Sequence, residues 1–224
     1  MKAGAVNKSA AEQRIKQVFA AYNLVPPLPT KSSQLGKLYE LYCLSELLAE
    51  LVTNGFSLSY VGQPTAVFKA GPGFINPTDP HFKVHFRAQL VAEIHLNIEF
   101  TTLGSRLRPV VDFSGYHEID IVIVKPRTTG RPNPSQILLG IECKAVANFS
   151  KRILKEVLGV RRELSFLSQV GNRSLLTSIC PSRAVHMPAT PPSEYLLFYI
   201  DPKGDQYAQS AAAFGIAFRH VEPV

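Results

Sequence analysis

The sequence predicts an α/β protein in which a mixed central β-sheet is flanked by helices. A leucine-rich, proline-free stretch of helical character, residues 35–53, precedes a series of apolar strands. A second amphipathic helix, residues 150–169, lies between two of those strands, as in proteins whose sheets carry helices on their faces. With 224 residues, 46% of them hydrophobic, the chain can bury the core of one domain.

The first 30 residues are predicted to form an N-terminal helix and a proline-rich linker, and residues 31–224 to form the main domain. Ser9 and Glu12 have the spacing of a capping box, and apolar residues follow at helical intervals. Pro26, Pro27 and Pro29 then make a stiff connector, because proline fixes its backbone and lacks an N–H donor.

The helix predicted over residues 35–53 has two apolar stripes. It is rich in leucine and glutamate, and Asn54 and Gly55 supply a C-terminal cap. Glu40 is the only charge on one of the two stripes. This position makes Glu40 a candidate functional residue.

The next regular pattern is a period-two alternation that begins at His81. Phe82, Val84 and Phe86 are predicted to face the core, and the intervening His81, Lys83, His85 and Arg87 to form an exposed basic face. The same phase continues to Phe100, which is too long for one strand. We therefore expect a bend, a bulge or a change to helix near Ala92.

Two further strands, residues 117–125 and 136–146, are predicted to form a hairpin with a long tip. Residues 195–201 indicate a buried strand, residues 206–213 a short helix and residues 214–221 a final strand.

Charged residues interrupt the two apolar strands of this hairpin. Asp120 lies on the first, and Glu142 and Lys144 lie on the second, where alternation places both on one face and Cys143 on the other. Glu118 shares the face of Asp120. Charges near a core are costly unless they are paired, hydrogen-bonded or bound to a metal ion. The pattern therefore favours a functional site.

Residues 34–201 resemble the PD-(D/E)XK, or restriction-endonuclease-like, nuclease superfamily. The matching features are a helix with Glu40, a strand with Asp120, a strand with Glu142-Cys143-Lys144, an amphipathic helix and another strand. The resemblance implies an αβββαβ core. Ile119 stands where the family name has proline, and the 22-residue step from Asp120 to Glu142 (142 minus 120) implies a longer hairpin tip than a minimal core has.

The resemblance also implies an activity, that of an endonuclease acting on DNA rather than RNA. Its catalytic residues would be Asp120, Glu142, Lys144 and Glu40. Mg²⁺ or Mn²⁺ would be bound by Asp120, Glu142 and the Cys143 carbonyl, with Glu40 completing the coordination shell. Lys144 would position the attacking water.

Other interpretations of the same residues remain open. Asp120 and Lys144 could be an ordinary cross-strand ion pair with Glu142 as a solvated neighbour, and Glu40 could reach water or pair with a lysine. At the level of the whole chain, the alternatives are a catalytically inactive nucleic-acid-binding domain on the same fold and a subunit of a protein assembly.

The charge balance favours a polyanionic partner. There are 24 Lys and Arg against 17 Asp and Glu, a net charge of +7, and the sequence pI is about 9.4. We expect phosphate contacts from basic residues on two exposed faces: Lys83, Arg87, Lys151, Lys155, Arg161 and Arg162. A homodimer would suit the cutting of both strands.

The cysteines and the hydropathy pattern bear on the compartment. Cys43, Cys143 and Cys180 form no CxxC pair, which argues against a zinc ribbon and a disulfide framework. His81 and His85 lie on a strand pattern and do not predict zinc. The sequence has no apolar run long enough for a membrane span or a signal peptide, so we expect a cytoplasmic protein.

Overall fold

A computed structural model describes residues 6–29, 31, 34–66, 68–69, 71–110, 112–180 and 185–224. Its helices are α1 (Lys8–Ala20), α2 (Leu35–Thr53), α3 (Leu103–Leu107), α4 (Lys151–Leu164), α5 (Leu175–Ile179) and α6 (Ala208–Ala212). Its strands are β1 (Ser57–Val61), β2 (His81–Phe86), β3 (Gln89–Thr101), β4 (Tyr116–Val124), β5 (Ile137–Lys144), β6 (Phe166–Arg173), β7 (His186–Thr190), β8 (Glu194–Tyr199) and β9 (Ile216–His220).

Seven of the strands form one mixed sheet in the order β1-β2-β3-β4-β5-β8-β9. Neighbours from β1 to β5 are antiparallel, whereas β8 lies parallel to β5 and β9 parallel to β8. A separate two-stranded antiparallel ribbon is made of β6 and β7. The predicted class, a mixed central sheet flanked by helices, is confirmed.

The sheet separates two apolar clusters. In β8, Leu196 and Phe198 belong to the cluster that contains α1 and α2, while Tyr195 and Leu197 belong to the cluster that contains α4. This follows from the alternation of side chains along a strand. The two long helices therefore cover opposite faces of the central strands.

Helix α2 is buried on nearly all sides, as its two apolar stripes predict. Leucines on both stripes are buried. The helix ends at Thr53, Asn54 is its C-cap, and Gly55 follows with a φ of 88°. Gly55 suits this left-handed backbone because it has no β-carbon. On its outer side α2 packs against α1, whose Ile15 and Phe19 join the same cluster.

The cap of α1 differs from the prediction. The helix begins at Lys8, and the Asn7 side chain accepts a hydrogen bond from the Ala10 N–H at 3.3 Å. Ser9 lies inside the first turn and is not the cap. Asparagine is as good an N-cap as serine, so the helix begins two residues earlier than the capping-box pattern indicates.

The long alternating segment that starts at His81 is two strands, not one. Arg87 and Ala88 both adopt positive φ values, 50° and 65°, and they join β2 to β3 in a tight hairpin. The turn lies before Ala92, but the register of the β2–β3 ladder shifts between the pairs Val84–Ala92 and His85–Leu90, which is the irregularity expected near Ala92. Neither Arg nor Ala is a typical residue for such a turn, which explains why the turn was missed.

The second predicted helix ends earlier than expected. Helix α4 stops at Leu164, and residues 166–173 form β6 instead of a continuation of the helix to residue 169. The predicted strands over residues 117–125, 136–146, 195–201 and 214–221 correspond to β4, β5, β8 and β9, and the short helix to α6.

Within the described residues, no helix combines the length and apolar character needed to cross a membrane. The first five residues, which belong to the stretch searched for a signal peptide, lie outside the described residues.

Candidate active site

Asp120 and Glu142 lie where β4 and β5 separate. The last pair of the ladder between these strands is Ile121 with Ile141, so Asp120 and Glu142 occupy the next two opposing positions. In place of a ladder bond, the Cys143 backbone N–H donates to Asp120 Oδ2 at 2.7 Å. This bond holds the Asp120 carboxylate against the backbone that carries Glu142 and Lys144.

Glu142 and Lys144 share one face of β5, as predicted. Their side chains form an ion pair with Nζ and Oε1 2.8 Å apart, and Glu156 Oε2 of α4 lies 3.8 Å from the same Nζ. Cys143 packs with the apolar cluster of α2 on the other face. The direct partner of Lys144 is thus Glu142, and not Asp120 as in the ion-pair interpretation.

Glu40 approaches this region from α2, together with a residue that the sequence analysis missed. Lys37 Nζ lies 2.8 Å from Glu40 Oε2 and donates a 2.7 Å hydrogen bond to Asn97 Oδ1 of β3. The lysine partner foreseen for Glu40 in the alternative interpretation is therefore present, one helical turn earlier in the chain.

Asn97 connects this pair to the sheet. The register pairs Leu96 with Ile121 and Ile98 with Ile119, which puts Asn97 opposite Asp120. Asn97, Asp120 and Glu142 therefore form a row across three adjacent strands, called the acidic row below. Asn97 has a φ of 53°, a left-handed conformation that asparagine tolerates better than most residues.

The carboxylates near this row repel one another. Burial raises the pKa of Glu142 to about 7, and the charge of Asp120 raises it further against the opposing effect of Lys144. Burial likewise raises the pKa of Glu40 to about 7, where Lys37 opposes the shift and Asp120 adds to it. Burial also raises the pKa values of Asp120 and Glu118. The two lysines only partly compensate the acids.

Lys144 keeps its charge in this environment. Burial alone lowers the pKa of its ammonium group, but the Glu142 carboxylate outweighs that effect, and the net pKa is raised. The protonated Lys144 thus lies beside Asp120 and Glu142, two acids whose raised pKa values make them easier to protonate.

Tyr195 is a second residue that the sequence analysis missed. It is 0% exposed and is register partner to Gly140 in β5, two residues before Glu142. Its hydroxyl has no hydrogen-bond partner within the described ranges. Burial raises the pKa of the Tyr195 hydroxyl, and the charges of Glu142 and Asp120 raise it further.

The side chains are not drawn together into a metal-ligand group. Among the residues that the structure describes, no set of three or more His, Cys, Asp and Glu side chains is placed to hold a metal ion. Asp120 accepts from the Cys143 N–H, and Glu142 is paired with Lys144.

The residues predicted to contact phosphate fall into different places. Lys151, Lys155 and Arg162 are exposed on α4, the helix that contacts Lys144 through Glu156. Arg87 is exposed at the tip of the β2–β3 hairpin, and Lys83 is half-buried on β2. Eight residues of β3 separate that tip from Asn97, roughly 30 Å of extended chain. The structure does not bring Arg87 to the acidic row.

Two residues expected on exposed faces are buried. Arg161 is 2% exposed and donates to the backbone oxygens of Phe214 and Ser193 at 3.0 and 2.9 Å. His81 is 4% exposed and stacks on His95 with ring centroids 4.8 Å apart. The expectation of exposure is wrong for both, because neighbouring elements cover these faces.

Comparison of the chain with protein-family models, curated proteins and solved structures finds no match. The resemblance to the nuclease superfamily therefore rests on the residues quoted above.

Proposed function

We propose that the protein is a metal-dependent nuclease of the restriction-endonuclease-like kind that hydrolyses phosphodiester bonds, with DNA as substrate. The observation that carries the proposal is the proximity of Asp120 to the Glu142-Cys143-Lys144 segment, with Glu40 and Lys37 beside them. Acids with raised pKa values next to a charged lysine are typical of catalytic sites.

The order of elements supports the same proposal. Helix α2, strands β3, β4 and β5, helix α4 and strand β8 occur along the chain in an αβββαβ order. Strands β1 and β2 are inserted before β3, helix α3 lies between β3 and β4, and the ribbon with α5 lies between α4 and β8. Glu40, Asp120, Glu142 and Lys144 lie on the elements where the superfamily carries its functional residues.

The donors around the acidic row fit a hard divalent cation. Asp120, Glu142, the Cys143 carbonyl and Glu40 would hold Mg²⁺ or Mn²⁺, since both ions prefer oxygen ligands. Positive charge at this point would offset the burial, and the repulsion from Asp120, that raise the pKa values of Glu40 and Glu142. When bound, such an ion polarises a phosphate oxygen and lowers the pKa of a coordinated water.

The lysines would have separate tasks. Lys144 would orient the attacking water and stabilise negative charge on the phosphate, because its ammonium group is protonated beside Glu142. Lys37 is a positioning residue, since it holds Glu40 against Asn97. Lys151, Lys155 and Arg162 would attract the backbone of the nucleic acid.

One observation favours the alternative of an inactive nucleic-acid-binding domain. Within the described part of the chain the acids engage the Cys143 N–H and the lysines instead of forming a ligand group. In that case the protein would bind nucleic acid with a strong salt dependence and leave it intact. A subunit of a protein assembly would neither bind nor cut nucleic acid.

Cleavage by the full chain separates these functions. Supercoiled plasmid and labelled single- and double-stranded DNA and RNA are incubated with Mg²⁺, Mn²⁺ or EDTA. We expect cleavage only with a divalent ion, and loss of cleavage in Asp120→Asn, whose amide oxygen can still accept from the Cys143 N–H. Asp112→Asn is the matched control, since Asp112 is exposed and caps a turn through Ser114. A parent protein that cuts none of these substrates would refute the proposal.

A further inference from the structure

A large cavity lies at the far end of α4, away from the acidic row. It measures about 590 Å³, within the range of roughly 300–1,000 Å³ that is common for small-molecule sites. Its walls come from the end of α4, from the ribbon and from the turn before β9. The apolar walls are formed by Leu158, Phe166, Leu167, Pro188 and Phe214.

Arg161 lies at the inner wall of this cavity, and no carboxylate among the described residues pairs with its guanidinium group. Its Nε donates to the Phe214 carbonyl, and its Nη1 donates to the Ser193 carbonyl and hydroxyl oxygens. Its Nη2 has no hydrogen-bond partner among the described residues. The acceptors found for Arg161 are neutral, and burial lowers its pKa to about 10, which leaves the group charged at neutral pH.

The Nη2 group lies next to the cavity wall. A β-carbon built on Gly215 would be 3.2 Å from Nη2 and 3.2 Å from Pro188 Cδ, and Pro188 lines the cavity. A poorly solvated charge in this position acts strongly on anything that enters, because the surrounding protein screens it weakly.

A second guanidinium stands at the rim. Arg162 is exposed, lines the cavity and lies over the Phe166 ring, with its Cζ 5.1 Å from the centroid. No Asp or Glu is present among the described residues that line the cavity. The cavity thus combines an apolar body with a polar end at which Arg161, Arg162 and Ser165 are the described polar side chains.

We propose that this cavity binds a small apolar molecule that carries one carboxylate group. The carboxylate would be contacted directly by Arg162 and attracted by the buried charge of Arg161, and the apolar part would lie against Phe166, Leu167 and Phe214. The cavity shares no lining residue with the acidic row, and Arg162 is the one described lining residue that it has in common with the surface proposed to attract nucleic acid.

Two other interpretations of the cavity are outcomes of the test. Arg161 could serve only to tie α4 to Ser193 and Phe214, in which case the cavity would not distinguish a carboxylate from a neutral head group. A nucleic-acid phosphate is the other anion to consider. The apolar walls argue against it, because a nucleotide chain brings a charged backbone and polar base edges into contact with them.

Calorimetric titration of the full chain with octanoate, octanol and octylammonium tests the proposal. We expect one saturable site for octanoate, binding of octanol weaker by about tenfold or more, and none for octylammonium. Equal affinity for octanoate and octanol would overturn the proposal. So would displacement of octanoate by a DNA oligonucleotide that itself binds Leu167→Asp more weakly than Val170→Asp, which would assign the cavity to nucleic acid.

Variants locate the site. Leu167→Asp adds a negative charge at the cavity mouth and should abolish octanoate binding, whereas Val170→Asp changes the same ribbon outside the cavity and should leave it unaltered. Both positions tolerate a polar side chain, since Leu167 is 59% and Val170 73% exposed. Equal effects of the two variants would overturn the assignment. If the Arg161→Met variant folds, the ratio of its affinity for octanoate to its affinity for octanol should fall toward one.

Discussion

The backbone N–H of Cys143 and the Oδ2 atom of Asp120 form a 2.7 Å hydrogen bond one position beyond the last pair of the β4–β5 ladder. The two strands therefore separate while Asp120 stays attached to the segment that carries Glu142 and Lys144. This contact places two acids and a lysine within one electrostatic environment, in which Asp120 raises and Lys144 lowers the pKa of Glu142, and both acids raise the pKa of Lys144.

Lys144 and the acids should differ in their effects on metal binding. Asp120→Ala or Glu142→Ala removes an anionic ligand, so we expect loss of both Mg²⁺ binding and cleavage. Lys144→Ala removes a positive charge, so Mg²⁺ binding should persist or tighten at pH 8 while cleavage falls by orders of magnitude. Calorimetric titration and plasmid nicking on folded variants measure the two quantities. Full activity in Lys144→Ala would contradict the mechanism.

Lys37 should set the pH at which Glu40 becomes charged. Because Lys37 lowers the pKa of Glu40 against the effect of burial, Lys37→Met should raise that pKa above its value of about 7. The midpoint of the pH profile for cleavage should then move to higher pH, with activity partly recovered in alkaline buffer. Lys16→Met on the exposed side of α1 is the control. An unchanged pH profile would show that Glu40 takes no part in cleavage.

Stability without metal should depend on pH in a predictable direction. Glu142 and Glu40 have pKa values of about 7 in the folded state against 4.5 ordinarily, so folding favours their protonated forms. Their contribution is present below about pH 4.5 and is lost as pH rises through 7. Glu142→Gln should therefore gain melting temperature over the parent as pH increases from 5 to 8 in EDTA. A difference that is constant with pH would disprove the raised pKa.

Lys151 and Lys155 should contribute to affinity without affecting sequence preference. Replacing both with alanine should weaken binding to unrelated DNA sequences to the same extent, and should reduce the slope of log affinity against log salt by about one unit for each phosphate that is no longer neutralised. Fluorescence anisotropy between 50 and 200 mM salt measures the slope. The double variant of Lys8 and Lys16, both exposed on α1, should retain the parent slope. If the Lys151 and Lys155 double variant kept the salt slope of the parent protein, these two residues of α4 would not contact phosphate.

Two glycine substitutions should change stability in opposite directions. A β-carbon on Gly140 would lie 3.1 Å from Tyr195 Cδ2 and 3.2 Å from Ile119 Cδ1, so Gly140→Ala should cost about 1–3 kcal/mol through overpacking. Gly159 is exposed on α4 with nothing within 4 Å, and Gly159→Ala should gain about 0.5–1 kcal/mol through helix propensity. Urea unfolding monitored by circular dichroism measures the change in the free energy of unfolding for each variant. Changes of the same sign would contradict this account.

Elements with a strong periodic pattern were predictable from the sequence. Helix α2 and strands β4, β5 and β8 appear where the apolar spacing indicates, because burial rather than local propensity decides those segments. The prediction failed where a distant partner decides the structure. Residues 166–169 continue the helical spacing of α4, yet Phe166 and Leu167 pair with Thr190 and Ala189 in the ribbon.

The site was predictable only in part, for a similar reason. Glu142 and Lys144 follow from their spacing of two on one strand, and their ion pair confirms a shared face. Lys37 could have been found from its position three residues before Glu40. Asn97 could not, because it is 60 residues from Lys37 and only the sheet register brings it to Asp120.

The ribbon has a consequence for how this chain could diversify. Phe166 pairs with Thr190, so the polypeptide leaves the end of α4 and returns to the start of β8 at almost the same place. The ribbon stands outside the seven-stranded sheet that contains the β5–β8 pair. Insertions, deletions or exchanges within β6 and β7 can therefore accumulate over evolutionary time with little effect on the framework that holds Asp120 and Glu142, whereas Leu176 and Cys180 between them belong to the apolar core. Related chains would be expected to vary most in these two strands.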